Sequence, residues 1–204
     1  MTKVIENIEE IRSHINGLTE EYTIPIFLAH SLGGGAEHYL NGRILASEEE
    51  TLLVVRFGLK KRLRLEIYEN SEIKFSFSTN VFQEIINLTD DINSKHIYFS
   101  NVCGDKNPIE IPHFIIQLSR ECHLTFLIHD YFVISPNINL QNKNKYIADG
   151  YDTDYDFDFN NEQSNFTLKE WQNAWKEALL TSDTVEVFSE NSKDIFLKHY
   201  PELS

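Results

Sequence analysis

The chain has 204 residues, of which 32 are Asp or Glu and 18 are Lys or Arg, so its formal net charge is −14 with neutral histidines. Apolar residues make up 41% of it and aromatic residues 12%, which excludes a disordered chain and provides enough material for a sizeable core. The acidity argues against nucleic acid as a partner, and against an anionic membrane as the main partner of the whole chain.

Alternating patterns predict the elements of the amino-terminal half, because apolar residues at helical spacing indicate helices and short apolar or alternating runs indicate strands. In chain order they are a helix at 3–16, a strand at 24–31, a helix at 35–48, strands at 51–57, 62–68 and 73–77, and a helix at 80–89. The first helix is interpreted as a connector within residues 1–22.

The carboxyl-terminal half continues the alternation. In chain order it contains a strand at 96–102, a helix at 108–121, a strand at 123–129, a polar loop or lid at 135–165, a helix at 167–181, a strand at 184–188 and a helix at 190–200. Thr167 and Glu170 match a capping box, and Asn191 or Ser192 is expected near the cap of the last helix. The order predicts an α/β domain over residues 23–204, Rossmann-like and three-layered with a mostly parallel sheet.

Neither the cysteines nor the apolar runs point to an extracellular or membrane protein. Cys103 and Cys122 form no CxxC pair, so neither a zinc site nor a disulfide scaffold is indicated, and two buried thiols are expected. No apolar run reaches the length of a membrane span, and the Glu-rich start lacks the apolar core of a signal peptide. These features predict a cytoplasmic protein.

A glycine turn joins the first strand to the next helix through Gly33, Gly34 and Gly35. Glycines let the backbone approach a ligand closely, and a helix N-terminus presents free N–H groups, so the turn suits a phosphate or diphosphate. The spacing is not GxGxxG, which excludes the dinucleotide fingerprint. A turn needed only for packing is the alternative.

The same segment is a loose nucleophile elbow, Ala29-His-Ser31-Leu-Gly33. On that interpretation Ser31 attacks an ester, Asp130 or Asp149 is the acid and His199 is the base. Serine hydrolases of this kind place several strands before the elbow, whereas the residues before this strand have the pattern of a helix.

His129 and Asp130 follow the strand at 123–129 as Ser31 follows the first strand. Ligands of open α/β sheets bind beyond the carboxyl ends of strands, so the two ends would face one cleft if these strands are neighbours. His129 would there donate to a sugar hydroxyl or a phosphate, or move a proton. The alternatives are a local capping interaction and a His-Asp phosphohydrolase, whose further metal ligands the pattern lacks.

Two charged segments are candidate sites. Residues 149–162 carry six acids and no base, but Phe157 and Gln163 stand where a calcium loop needs Gly and Glu. A DxD metal site is a further alternative, yet a solvated acidic loop is preferred, so no metal is predicted. Five of the nine residues at 56–64 are basic. An exposed hairpin face is preferred there, over a phosphate site, pairing with the acidic loop, or peripheral contact with the inner face of a membrane.

Four segments resemble the N-terminal half of glycosyltransferases with the GT-B fold, of the group 1 (family 4) class. They are His30-Ser-Leu-Gly-Gly-Gly-Ala-Glu-His38, His129-Asp-Tyr-Phe-Val-Ile-Ser-Pro-Asn-Ile-Asn-Leu140, Trp171 with Trp175, and Val187-Phe-Ser-Glu-Asn-Ser192. The resemblance covers residues 24–200. One departure is Phe188, which stands where the family has Pro before Ser.

The resemblance implies one half of a two-domain enzyme that faces its cleft from the acceptor side. It implies His129 and Asp130 as catalytic residues, with His129 on the transferred sugar. The residues it implies along the donor diphosphate and acceptor edge of the cleft are Gly33, Gly34, Gly35, Glu37, His38 and Tyr131. It implies no bound metal or cofactor, because the nucleotide-sugar is a co-substrate.

The sequence thus predicts the acceptor-binding half of a retaining nucleotide-sugar-dependent glycosyltransferase, in surface polysaccharide or glycan synthesis, inactive without a donor-binding domain. Its expected partners are a donor-binding domain or subunit and a glycan acceptor. The paired-Glu donor segment of the second half is absent, so whether this chain is itself an enzyme stays open. The alternatives are a non-catalytic glycosyltransferase-like module that binds a partner or a glycan, and the Ser31 hydrolase.

Overall fold

The computed structural model describes residues 4–18, 22–30, 32–46, 51–58, 61–102, 105, 107–136, 140–142, 145–146, 156–157 and 166–204. Ser31, Cys103, Asp149 and most of the acidic segment lie outside the described residues. The predictions made for them therefore stay predictions.

A seven-stranded sheet runs through the domain in the spatial order β7-β6-β5-β1-β2-β3-β4. Its strands are β1 (Ile24–His30), β2 (Leu52–Phe57), β3 (Leu63–Glu69), β4 (Glu72–Thr79), β5 (Lys95–Phe99), β6 (His123–Ile128) and β7 (Thr184–Val187). The pairs from β7 to β2 are parallel, whereas β3 and β4 continue the sheet antiparallel. The chain is α/β with a mostly parallel sheet, as predicted.

The described part of the chain contains six α-helices. They are α1 (Ile8–Asn16), α2 (Gly35–Ala46), α3 (Phe82–Thr89), α4 (Ile111–Leu118), α5 (Leu168–Thr181) and α6 (Glu190–His199), with 3-10 turns at Pro108–Glu110 and Pro201–Leu203. The expected capping box begins α5, where the Thr167 side chain accepts from the N–H of Glu170. The cap of α6 is Ser189, which accepts from the N–H of Ser192, so Asn191 and Ser192 lie near the cap as expected.

The helices cover the two faces of the sheet unequally. Apolar residues of α1, α3, α4, α5 and α6 join one large core that contains Trp171 and Trp175, both fully buried. On the opposite face a smaller core packs Leu40 and Ile44 of α2 against the sheet. The three layers are those of a Rossmann-like domain, and they were predicted from the alternation of elements.

The first helix packs into the same core as the rest of the chain. It starts at Ile8 rather than residue 3, because Asn7 accepts the N–H groups of Glu9 and Glu10 as a cap. Before it, the N–H of Ile5 donates to Lys74 of β4 over 2.8 Å. Residues 4–16 thus contact the sheet directly, and the proposed boundary at residue 22 stays a prediction.

The order of the strands places a topological switch point beside β1. From β1 the chain proceeds to β2, β3 and β4 on one side, and then returns through α3 to β5 on the other side. Connections leaving β1 and β5 therefore separate, which opens a crevice beyond their carboxyl ends. The sequence-based condition that β1 and β6 be neighbours is not met, because β5 pairs with both of them.

Across the described ranges, no helix combines the length and the apolar composition that crossing a membrane requires.

Candidate functional site

A cavity of about 480 Å³ opens at the carboxyl ends of β1, β5 and β6. Its described lining residues are His30, Leu32, Gly33, Gly34, Gly35, Ala36, Asn101, His129 and Asp130. It lies at the switch point, where open α/β sheets bind their ligands. The structure therefore brings the predicted glycines together with His129 and Asp130, although β5 separates their strands.

The glycine turn forms one wall of the cavity. Gly33 and Gly34 have φ angles of +82° and +90°, a conformation that residues with side chains rarely adopt. The N–H of His38 donates to the carbonyl oxygen of Gly34 over 3.1 Å, which begins the hydrogen bonding of α2. The first N–H groups of a helix have no acceptor within the helix, and Gly35 and Ala36 at the start of α2 line the cavity.

Glu37 lies behind this turn. Its Oε2 accepts the N–H of Gly33 over 2.5 Å, and its Oε1 lies 3.7 Å from Nη1 of Arg56. The cleft position predicted for Glu37 is thus close to the observed one, but the side chain is engaged with the turn and is not among the residues that line the cavity.

His30, the last residue of β1, is a lining residue that sequence reasoning did not single out. Its Nδ1 accepts the N–H of Leu32 over 3.0 Å, so Nε2 carries the proton of the neutral ring. Burial lowers the pKa of His30, although Glu37 and Asp130 act in the opposite direction. At neutral pH this imidazole is therefore an uncharged hydrogen-bond donor.

His129 combines a polar atom with an aromatic surface. Its Nε2 is buried and has no hydrogen-bond partner within the described part of the chain. Burial lowers the pKa of His129, opposed by Asp130, so this ring too is uncharged at neutral pH. The ring stacks on Phe188 with centroids 4.6 Å apart, and Phe188 is 52% exposed.

Asp130 is held in place by two donors. Its Oδ1 accepts the N–H of Phe132 over 2.9 Å, and its Oδ2 accepts the side-chain amide of Asn101. Asn101 follows β5 and was missed by sequence reasoning. The signal that could have found it is the polar pair Ser100-Asn101, which ends a strand in the same way as His129 and Asp130 do.

Two further predicted residues do not line the cavity. Tyr131 lies with its hydroxyl 3.4 Å from Oγ of Ser192 on α6, and His38 is exposed on α2. His199, the base of the hydrolase alternative, is likewise not among the described lining residues. The catalytic and binding roles assigned to all of these residues stay predictions.

Three basic residues of the run at 56–64 are paired with acids of their own domain: Arg56, Arg62 and Arg64. Arg56 is 5% exposed and its Nε lies 3.1 Å from Oε2 of Glu66, while Arg62 lies 2.8 Å from Asp105. The expectation of an exposed hairpin face is therefore wrong for Arg56, because the neighbouring strand β3 supplies a buried counter-ion. Contact of this segment with a membrane stays a prediction.

Arg56 also connects this ion pair to the candidate site. Its Nη1 donates to the carbonyl oxygen of His30 over 2.9 Å. Glu66, which is 1% exposed, accepts a further hydrogen bond from the hydroxyl of Tyr68 over 3.0 Å. Buried charges persist when they are paired and hydrogen-bonded, and this arrangement holds the carboxyl end of β1 in place.

The opposite edge of the sheet has a second cavity of about 670 Å³, at the amino ends of β1, β5, β6 and β7. Cys122 lines it as a free, half-buried thiol whose pKa is raised by burial.

Of the residues that the structure describes, no three His, Cys, Asp or Glu side chains are grouped to hold a metal ion.

No family model, no curated protein and no solved structure matches this chain. The fold and the geometry of the site are therefore the basis on which a function can be proposed.

Proposed function

We propose that this chain is the acceptor-binding half of a retaining nucleotide-sugar-dependent glycosyltransferase, and that the cavity binds a sugar. The observation that carries the proposal is that two segments far apart in the sequence line one cavity. These segments, glycines 33–35 and the pair His129-Asp130, are the ones on which the resemblance to the GT-B fold mainly depends.

The polar groups of the cavity suit sugar hydroxyls, which donate and accept hydrogen bonds at once. His30 offers a neutral Nε2–H donor, and Asp130 offers a carboxylate that is oriented by Asn101. Nε2 of His129 lacks a partner among the described residues, and a buried polar atom without a partner costs free energy. A ligand hydroxyl would satisfy it once a neighbouring side chain moves aside, because the atom itself is buried.

Two aromatic side chains beside His129 suit the apolar face of a sugar ring. Phe188 stacks on His129, and Tyr39 lies with its ring centroid 5.3 Å from that of His129. Large aromatic surfaces bury apolar area efficiently at binding sites. A site with one aromatic edge and several convergent polar groups fits a pyranose better than it fits a purely apolar ligand.

In the proposed reaction, an acceptor hydroxyl replaces the nucleoside diphosphate at the anomeric carbon of the donor sugar. The new C–O bond forms as the bond to the diphosphate breaks, and the hydroxyl proton leaves with the diphosphate. His129 would contact the transferred sugar, and Asp130 would orient a hydroxyl through the oxygen lone pairs that Asn101 and Phe132 leave free. A second domain or subunit would hold the nucleotide.

The test is glycan binding by saturation-transfer NMR with a panel of neutral oligosaccharides. The variant His129→Ala is compared with His123→Ala, which removes a largely exposed histidine at the opposite end of β6. We expect the wild-type chain to bind at least one glycan. We expect His129→Ala to weaken that binding about tenfold, because it removes one hydrogen bond to the ligand. We expect His123→Ala to leave the binding unchanged. Thermal unfolding of both variants checks that they are folded.

Failure of the wild-type chain to bind any glycan, or equal binding by His129→Ala, would contradict the proposal. Glycan binding without transfer, measured with a nucleotide-sugar and a donor-binding subunit present, would favour the non-catalytic module. Labelling of Ser31 by a fluorophosphonate would favour the hydrolase.

A further inference from the structure

We infer that Glu37 closes the glycine turn to phosphate groups, so that the cavity takes an uncharged, hydroxyl-bearing sugar and not a phosphorylated one. The donor diphosphate would then lie against the second domain or subunit, and not along glycines 33–35 as the resemblance implies. This inference names the substrate class of the cavity, and for the identity of the ligand as a sugar it rests on the proposed function. The role of Glu37 at the turn is independent of that identity.

The carboxylate of Glu37 already occupies the glycine turn. A glycine turn before a helix binds anions because its N–H groups point at the ligand and the helix dipole favours negative charge. Here the N–H of Gly33 already donates to Oε2 of Glu37 over 2.5 Å. This carboxylate belongs to the same helix, so its effective concentration at the turn is high, and an incoming phosphate must compete with it.

Arg56 immobilises Glu37. The two side chains lie 3.7 Å apart, with 22% of the Glu37 side chain and 6% of the Arg56 side chain exposed. Arg56 is itself fixed by Glu66 and by the carbonyl oxygen of His30. The guanidinium of Arg56 is therefore already bound by carboxylates, and it is not available to a ligand.

The charges around the cavity also disfavour a phosphate. The described lining residues include the carboxylate of Asp130 and neither Lys nor Arg. His30 and His129 are uncharged at neutral pH, so they do not compensate Asp130 and Glu37. Like charges at close range repel strongly in a partly dehydrated site, which disfavours a phosphate dianion. Neutral hydroxyl groups carry no such penalty.

The experiment is a titration of the full chain with inorganic pyrophosphate, followed by phosphorus NMR and by the amide resonances of glycines 33–35. Glu37→Gln removes the charge and keeps the shape of the side chain. Glu177→Gln is the matched control, because it removes the same charge from an exposed position on α5. Glu37→Ala is a second variant that removes the competing side chain altogether, and thermal unfolding shows which variants are folded.

We expect both Glu37 variants to bind pyrophosphate at least about tenfold more tightly than the wild-type chain and Glu177→Gln, with shifts at the glycine amides, since removal of one opposing charge at close range changes affinity by this order. Equal pyrophosphate affinity in all four proteins, whether all of them bind or none does, would overturn the inference.

The neutral oligosaccharide panel, applied to the same samples, separates this inference from the proposed function. If no glycan binds but the Glu37 variants gain pyrophosphate binding, the proposed function fails and the role of Glu37 at the turn stands. If a glycan binds and Glu37 has no effect on pyrophosphate, the proposed function stands and the role of Glu37 fails.

Discussion

At the scale of single residues, Arg56 is a buried charge that connects the carboxyl end of β1 to two carboxylates. It is 5% exposed, and its guanidinium contacts Glu66, Glu37 and the backbone of His30. An arginine with one planar fork can hold all of these partners at once, which a lysine cannot do. The geometry at the end of β1 therefore depends on a buried charge, which is tolerated in the core because it is paired.

We expect Arg56→Met to lower the free energy of unfolding by about 1.5–3 kcal/mol, because it removes one charged hydrogen-bond donor from the buried carboxylate of Glu66, which keeps Arg64 and Tyr68 as partners. Urea denaturation measures this change. The control is Arg12→Met, which breaks an exposed pair with Glu9 and is expected to cost at most about 1 kcal/mol.

A second variant tests the reason for the loss. Arg56→Met combined with Glu66→Leu removes both buried charges, and replacing a buried ion pair by apolar groups is often nearly neutral. We expect the double variant to recover most of the stability that Arg56→Met loses. A double variant less stable than Arg56→Met would show that the loss in free energy of unfolding comes from packing, and not from the charge left on Glu66.

At the scale of elements, α2 and the turn before it contain glycines with opposite requirements. Gly34 has a φ of +90°, so it needs the freedom of glycine even though a Cβ there would meet no atom within 4 Å. Gly42 lies inside α2 with an ordinary backbone, and a Cβ there would also meet no atom within 4 Å. Space is available at both positions, so only the backbone conformation distinguishes them.

We expect Gly34→Ala to lower the free energy of unfolding by about 1–2 kcal/mol, the cost of a left-handed conformation for an L residue. We expect Gly42→Ala to raise it by about 0.5–1 kcal/mol, because alanine is the better helix former. Urea midpoints of the two variants measure the difference. A shift in the same direction for both would contradict the explanation by backbone conformation.

At the scale of the whole molecule, α1 decides how much of the chain folds as one unit. Ile11 and Ile15 are fully buried and join the core that also contains Trp171 and Trp175. A connector that folded independently would not pack its side chains into that core. The burial of α1 therefore predicts that it unfolds together with the sheet.

We expect Ile11→Ala to lower the stability of the whole domain by about 2–5 kcal/mol through loss of buried area and a cavity. Ser13→Ala, at an exposed position of the same helix, is the control and is expected to change it by less than about 0.5 kcal/mol. Tryptophan fluorescence from α5 follows the transition. An unchanged fluorescence midpoint in Ile11→Ala would show that α1 is a separate unit.

The sequence by itself determined the class of the fold, most helix and strand positions, the capping box of α5, and the strand ends at glycines 33–35 and at His129. These features are encoded by periodicity, turn residues and caps within a few neighbouring residues, so they can be found without knowing the partners of a segment.

Only the tertiary structure decided which strand lies between β1 and β6, and thereby that Asn101 holds Asp130. It also decided that Arg56 is buried, because a run of basic residues has the same pattern whether it faces water or a buried acid on the next strand. Strand order and ion pairing join residues that are distant in the sequence, and their energies depend on burial, which a local pattern does not contain. The acidity of the chain is a property of the sequence, whereas the placement of Glu37 against the glycine turn is a property of the fold.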